Sequence, residues 1–173
     1  MLNCKINKGI VGSCSTSIGG IQELVLANWS GSHKYTSSNS GCSIDSIDLG
    51  TEKAYKFDFA DGTGSYNVQG QIGSSRQQKY FLHTVTVTLP HIDCENLSDL
   101  TNLFLAKVVA FVKDKNGRAF ILGAQNGLSS SAFDLASGAA EGDASGLTIT
   151  LDGSQSDVLM EIADWSIVEE LLG

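Results

Sequence analysis

The stretch QQKYFLHTVTVTLPHIDCENLSDLTNLFLAKVVAFVKDKNGRAFILGA, from Gln77 to Ala124, decides how the chain folds. Phe81, Val85, Val87 and Leu89 alternate with Leu82, Thr84, Thr86 and Thr88, the period-two pattern of a half-buried strand. Pro90, the only proline, sits where that strand must stop, because it cannot donate to a ladder and holds its predecessor extended. The acidic run from Asp93 to Asp99 then offers cap formers, with Asn96 or Ser98 as candidate N-caps, and no helix breaker follows from Leu100 to Lys113. Asp93, Glu95 and Asp99 at the front and Lys107, Lys113 and Lys115 at the back match a helix macrodipole. These signals predict one main helix over about 96–113. Its apolar residues, from Leu97 to Val112, cover about half the circumference, enough to be shared between two sheets or with a neighbouring subunit. Asp114-Lys115-Asn116-Gly117 supplies a turn, and the chain resumes as strand from Arg118 to Ala124.

Working outward, Ile21 to Asn28 reads as the first strand, preceded by a polar, glycine-rich arm over residues 1–20 that is expected to be mobile or to order only against a partner. Residues 29–43 form a long loop carrying Trp29, His33 and Tyr35; loops of this length in a compact domain tend to be functional or disordered, and Trp29 and Tyr35 read equally as buried anchors or as incidental aromatics of a linker. Ile44 to Leu49 is weakly strand-like, and Ala54 to Ala60 more strongly so. Asp61-Gly62-Thr63-Gly64 suggests a hairpin to Ser65–Ile72. Beyond Ala124, short strands are expected at Ser131–Ser137, Gly146–Leu151 and Val158–Ala163. A short tail over 164–173 must dock on its own domain or on a neighbour, because a helix that short is unstable alone. The expected class is mainly β with one packing helix (α+β), two antiparallel sheets forming a sandwich or barrel, in a single domain over 21–173.

The chain of 173 residues has a net charge of −8. With no basic cluster, a phosphate-gripping surface is excluded. Cys4, Cys14, Cys42 and Cys94 form no C-x-x-C pair, and His33, His83 and His91 do not complete a zinc site. Asp61, Asp152 and Asp157 lack the spacing of a calcium loop. There is no nucleophile elbow, phosphate loop or dinucleotide fingerprint, so neither an enzyme nor a cofactor is expected. The carboxylate pairs Asp45/Asp48, Asp58/Asp61 and Glu169/Glu170 read as solvated faces. His83, on the apolar face of its strand, reads as a satisfied core histidine, and His91 as a solvated turn residue. The start of the chain lacks the apolar run of a secretory signal, which makes the glycosylation matches at Asn28 and Asn96 fortuitous.

The element order, with the texture of Tyr80–Gly123 and of Gly142-Asp143-Ala144-Ser145-Gly146-Leu147-Thr148-Ile149-Thr150-Leu151, resembles bacteriophage tail tube proteins and the related type VI secretion tube proteins. That resemblance implies subunits closing into hexameric rings whose inner sheets join into a barrel, with rings stacking into a hollow tube in the virion tail, assembled in the bacterial cytoplasm. It further implies an acidic lumen, with Asp45, Asp48 and Asp58 as candidate lumen residues, through which DNA slides without specific binding. The implied inter-ring contacts use the long loop, which would hold Trp29, His33 and Tyr35, with the N-terminal arm and the C-terminal tail as further candidates. The implied partners are copies of the chain itself, with sheath, baseplate or tail-terminator proteins, and no membrane. Two other readings fit the same pattern: another virion role (capsid decoration, tail terminator or baseplate) and a carbohydrate-binding β-sandwich.

Overall fold

The computed structural model of the chain describes residues 9–10, 12, 16–37, 43–74, 77–90, 94–137 and 145–173. Among the described residues, eleven strands and two helices follow one another as β1 (Ile21–Asn28), β2 (Lys34–Ser37), β3 (Ser43–Asp48), β4 (Ala54–Phe57), β5 (Gly64–Ile72), β6 (Lys79–Leu89), α1 (Cys94–Leu105), β7 (Lys107–Asp114), β8 (Ala119–Leu122), β9 (Leu128–Ala136), β10 (Gly146–Gln155), β11 (Met160–Ile162) and α2 (Ser166–Glu169). The expected β-rich α+β class is therefore present.

All strands belong to one hydrogen-bonded sheet that folds into two layers and does not close. Seven strands run β4-β1-β7-β8-β11-β3-β2, and four run β9-β10-β6-β5. The layers share a seam where the first residues of β9 pair with the start of β7, at Lys107↔Ser129 and Val108↔Leu128. The two separate antiparallel sheets expected from the sequence are thus one continuous sheet. It is mixed, because β11 pairs with β3 in parallel.

The largest departure concerns the helix. It ends at Leu105, and Lys107–Asp114 is the central strand β7, paired with β1 on one edge and with β8 and β9 on the other. Val108, Ala110 and Val112 enter a first core between the layers, while Val109 and Phe111 enter a second core on the opposite face. A strand buried on both faces carries an unbroken apolar run, and periodicity alone does not separate that from a buried helix. Lys107 and Lys113 therefore lie on a strand rather than at a helix C-terminus, and Lys115 in the turn after it. Asn96's side chain, His91 and Asp93 lie outside the described residues, and Ser98 is within the helix.

The first core joins Val85, Val87 and Leu89 of β6 to Leu147, Ile149 and Leu151 of β10, with Leu24 and Leu26 of β1 facing them. The second core holds Val25 and Ala27 of β1, Ile44 and Ile47 of β3, and the C-terminal segment through Trp165 and Val168. The tail thus docks on its own domain. Its end is tied to β4, where Ala54 N–H donates to Leu171 O at 3.1 Å and Gly173 N–H to Ala54 O at 3.2 Å.

Asp61-Gly62-Thr63-Gly64 does not close a hairpin. Thr63 N–H donates to Ala60 O at 3.1 Å in a turn, but β4 pairs with β1 and β5 with β6, so this turn carries the chain from one layer to the other. Gly64 is the required residue there, because a Cβ would sit 2.6 Å from Ile21 Cγ1 and 2.7 Å from the Phe59 ring. Polar groups fix the second crossing, between β8 and β9. Gln155, 3% exposed, accepts from Gln125 N–H (3.0 Å) and Asn126 N–H (3.1 Å) and donates to Gly127 O (3.1 Å).

His83 is buried beside that crossing and fully paired, as expected of a core histidine. Its Nε2 donates to Asp157 O at 3.0 Å, and its Nδ1 accepts from Gly123 N–H at 3.4 Å. Burial pulls its pKa below the ordinary value, outweighing the backbone carbonyls of the 157–158 segment and the Asp157 carboxylate, which favour the cation. Above the ordinary imidazole value of about 6.5, neither folded nor unfolded chain holds the proton. As pH falls below it, the unfolded chain takes the proton up first, and stability is lost down to the folded pKa. Urea midpoints are expected to fall from pH 7.5 to pH 5, and to fall less steeply in His83→Gln.

Candidate self-assembly surface

The four-strand layer has two chemically distinct faces. Residues 83, 85, 87 and 89 of β6 point into the first core, so 82, 84, 86 and 88 point outward, and register fixes their neighbours. Thr86 lies between Ser65 and Thr150, Thr84 between Asn67 and Asp152, and Thr88 beside Thr148. Gln69 and Gln71 extend the row on β5, and Ala132 and Asp134 extend it on β9. The outward face is thus mostly hydroxyls and amides among the described residues, interrupted by Leu82 and Ala132, with Asp134 and Asp152 as its acids on β9 and β10. Threonine pairs stitch it across strands, Thr88 to Thr148 at 3.0 Å and Thr86 to Thr150 at 3.3 Å between hydroxyl oxygens.

Both margins of this layer are open among the described residues. The outer edge of β5 has no strand partner, and β9 is paired on its outer edge only through Leu128 and Ser129. Beyond Ser129, β9 overhangs the other layer, and its core-side residues Phe133 and Leu135 are 38% and 57% exposed. Helix α1 covers the overhang in part, with Phe104 edge-on to Phe133 at 5.5 Å between centroids. The helix buries Leu100 and Leu103 but leaves Leu97, Phe104 and Leu105 at 46%, 46% and 77% exposure. At the other margin Ile72 of β5 is 67% exposed. An unpaired edge flanked by apolar side chains is a template for another strand.

The predicted assembly-loop residues are placed differently. Lys34–Ser37 is strand β2, paired with β3, so 29–43 is not one long loop, and residues 38–42 lie outside the described residues. Trp29 packs against the second core, its Nε1 donating to Ala124 O at 3.4 Å and the Lys107 ammonium 4.6 Å from its ring centroid. Tyr35 packs there too, its hydroxyl 3.4 Å from His33 Nδ1, and burial pushes its pKa up to about 12. His33 Nε2 is buried without a partner, and desolvation draws that imidazole's pKa down despite Glu52 and Asp48 nearby. Removing 29–43 would therefore remove core anchors as well as a surface segment.

Nor are the three candidate lumen acids brought together. Asp45 and Asp48 are exposed on β3, where Asp48 Oδ1 accepts from Gly50 N–H at 2.9 Å, and Asp58 follows β4. All three belong to the seven-strand layer. The polar face of the four-strand layer went unnoticed in the sequence, although the alternation in Thr84–Thr88 and Thr148–Thr150 carries its signal. Ion pairing is local as well. Burial alone would raise Glu23, yet bonds from Lys56 (3.0 Å) and Lys113 (3.1 Å) hold its carboxyl below the usual range. No cluster of three or more potential metal ligands occurs among the described residues, and no described helix is long and apolar enough to span a membrane. Comparison with family models, with curated proteins and with solved structures brings no match to this chain.

Proposed function

We propose that the chain is a self-assembling structural subunit of a phage tail tube, in which the β5 margin of one copy pairs with the β9 margin of the next. The observation that carries this reading is the four-strand layer whose margins, β5 and β9 beyond Ser129, are open among the described residues, with apolar side chains bare beside β9. Its strands alternate in direction, β5 against β6, β6 against β10 and β10 against β9. With an even number of strands, a rotated copy brings its β5 antiparallel to the first copy's β9, and the alternation continues unbroken round a ring. A closed ring leaves no edge.

In that arrangement the core-side residues of the incoming β5 lie beside Phe133 and Leu135. Covering one such side chain fully is worth on the order of 1.5–3 kcal/mol. The hydroxyl and amide face lines the bore, and DNA passes along a wall that offers it no cation. The acids assigned to this wall are Asp134 and Asp152, in place of Asp45, Asp48 and Asp58. A tail-terminator or decoration role uses the same margins but stops at single rings.

Electron microscopy of the purified protein at high concentration tests the proposal. Stacked rings or tubes with a central bore are expected, and uniformly monomeric particles would overturn it.

A further inference from the structure

We infer that the cleft between α1 and β4 is a binding site for a small organic cation, an ammonium carried on an apolar body. The inference stands apart from the self-assembly reading, since neither β5 nor β9 lines this cleft. The cleft has a volume of about 920 Å³ and opens beside the first core. Cavities of roughly 300–1,000 Å³ with apolar walls and a few polar groups are the usual form of a small-molecule site. Two sequence periods build the walls. Asp99, Asn102, Leu103 and Ala106 recur at helical spacing and bring one face of α1 to the cleft. On the strand side, Tyr55 stands opposite Leu26 and Phe57 opposite Leu24, and both leucines belong to the first core, so Tyr55 and Phe57 share that face. Phe59 continues the alternation and packs against the same core. All three rings line the cleft, and Tyr55 is 54% exposed.

The charges select the occupant. Asp58 and Asp99 line the cleft and are exposed, and neither enters an ion pair or a side-chain hydrogen bond among the described residues. Lys56, the cation on the described lining, stands opposite Val25 of the second core, and its ammonium is taken by Glu23 at 3.0 Å. An anion entering here meets two carboxylates. A neutral hydrocarbon fills the apolar walls but leaves both acids unpaired. An ammonium on an apolar body matches walls and rim together, because aromatic faces also attract a cation.

Three probes of one shape test this on the full chain: 4-phenylbutylammonium, 4-phenylbutanol and 4-phenylbutanoate, titrated calorimetrically at low ionic strength. The amine is expected to bind at least about tenfold more tightly than the alcohol, and the carboxylate more weakly than either. The double variant Asp58→Asn, Asp99→Asn exchanges two exposed carboxylates for amides of the same shape. There the amine should fall to within about threefold of the alcohol, whose own affinity stays as in the parent and so shows that the variant is folded. Asn102→Trp, at an exposed helix position on the rim, should weaken all three probes at least about tenfold by filling the mouth. Equal binding of amine and alcohol by the parent, or a preference for the amine that survives loss of both carboxylates, overturns the inference. Binding of the amine that ignores Asn102→Trp, or no binding of any probe, overturns it as well. Probe binding that weakens as protein concentration rises gives the cleft to a second copy instead.

Discussion

Phe111→Ala is expected to lower the folding free energy by about 3–5 kcal/mol, read as a fall in the urea midpoint at unchanged slope. Phe111 has no exposed surface. It sits in the middle of β7, opposite Val25 on β1 and Ile121 on β8, and its ring enters the second core with Val109, Trp165 and Val168. Truncation there removes apolar burial and leaves a cavity that three strands and the C-terminal segment cannot all close at once. Domains of this size are stable by only about 5–15 kcal/mol, so the variant should be partly unfolded at 37 °C. Leu105→Ala, at a position 77% exposed, is expected to change stability by less than about 0.5 kcal/mol. Similar losses at both positions would contradict the assignment of 107–114 to a doubly buried strand.

The second large effect concerns association rather than folding. Leu135→Lys on β9 and Ile72→Lys on β5 each place a charge at a margin that is 57% and 67% exposed in the isolated subunit. Each should leave the thermal midpoint within about 2–4 °C of the parent. In the proposed pairing both side chains lie along the same β5–β9 seam, at opposite ends of the layer by its own register, and burying an unpaired ammonium in that seam costs several kcal/mol. Each variant alone is therefore expected to lose self-association by at least about 100-fold, some 2.7 kcal/mol. Mixing them is more informative. The Leu135→Lys copy keeps a sound β5 and the Ile72→Lys copy a sound β9, so the mixture should form one-to-one dimers that grow no further. Isologous pairing of β9 with β9 predicts instead that Ile72→Lys dimerises by itself and that mixing adds nothing. Sedimentation velocity on the two variants and their mixture separates these outcomes.

Much of the architecture was legible in the residues. Alternation placed β6 and its buried face, Pro90 marked its end, Asn116-Gly117 marked the β7–β8 turn, and the short tail was required to dock. What escaped detection has a common physical origin. β7 is covered on both sides, so its valines and Phe111 form a continuous run that fits a helix wheel as well as a strand. The turn at Asp61–Gly64 has hairpin composition, but turn chemistry specifies a local reversal and not which layer the next strand joins. For Trp29 and Tyr35 the sequence left buried anchors and incidental linker aromatics equally open, because their neighbours are serine and glycine; their rings belong to a core assembled from β1, β3 and α2. The polar face was hidden for a different reason. It exists only once β5, β6, β10 and β9 are set in register, whereas carboxylates such as Asp45 and Asp48 stand out in a sequence whatever surface they occupy.

The claim that the chain acts by pairing its open margins is tested most directly by amide hydrogen exchange, comparing dilute subunits with concentrated assemblies. The outer-edge amides of Gly64–Ile72 and of Ser130–Ala136 should exchange freely in the subunit and become protected together on assembly, with those of the already paired β6 and β10 little changed. Assemblies in which both margins remain as exchangeable as in the dilute protein would contradict the account.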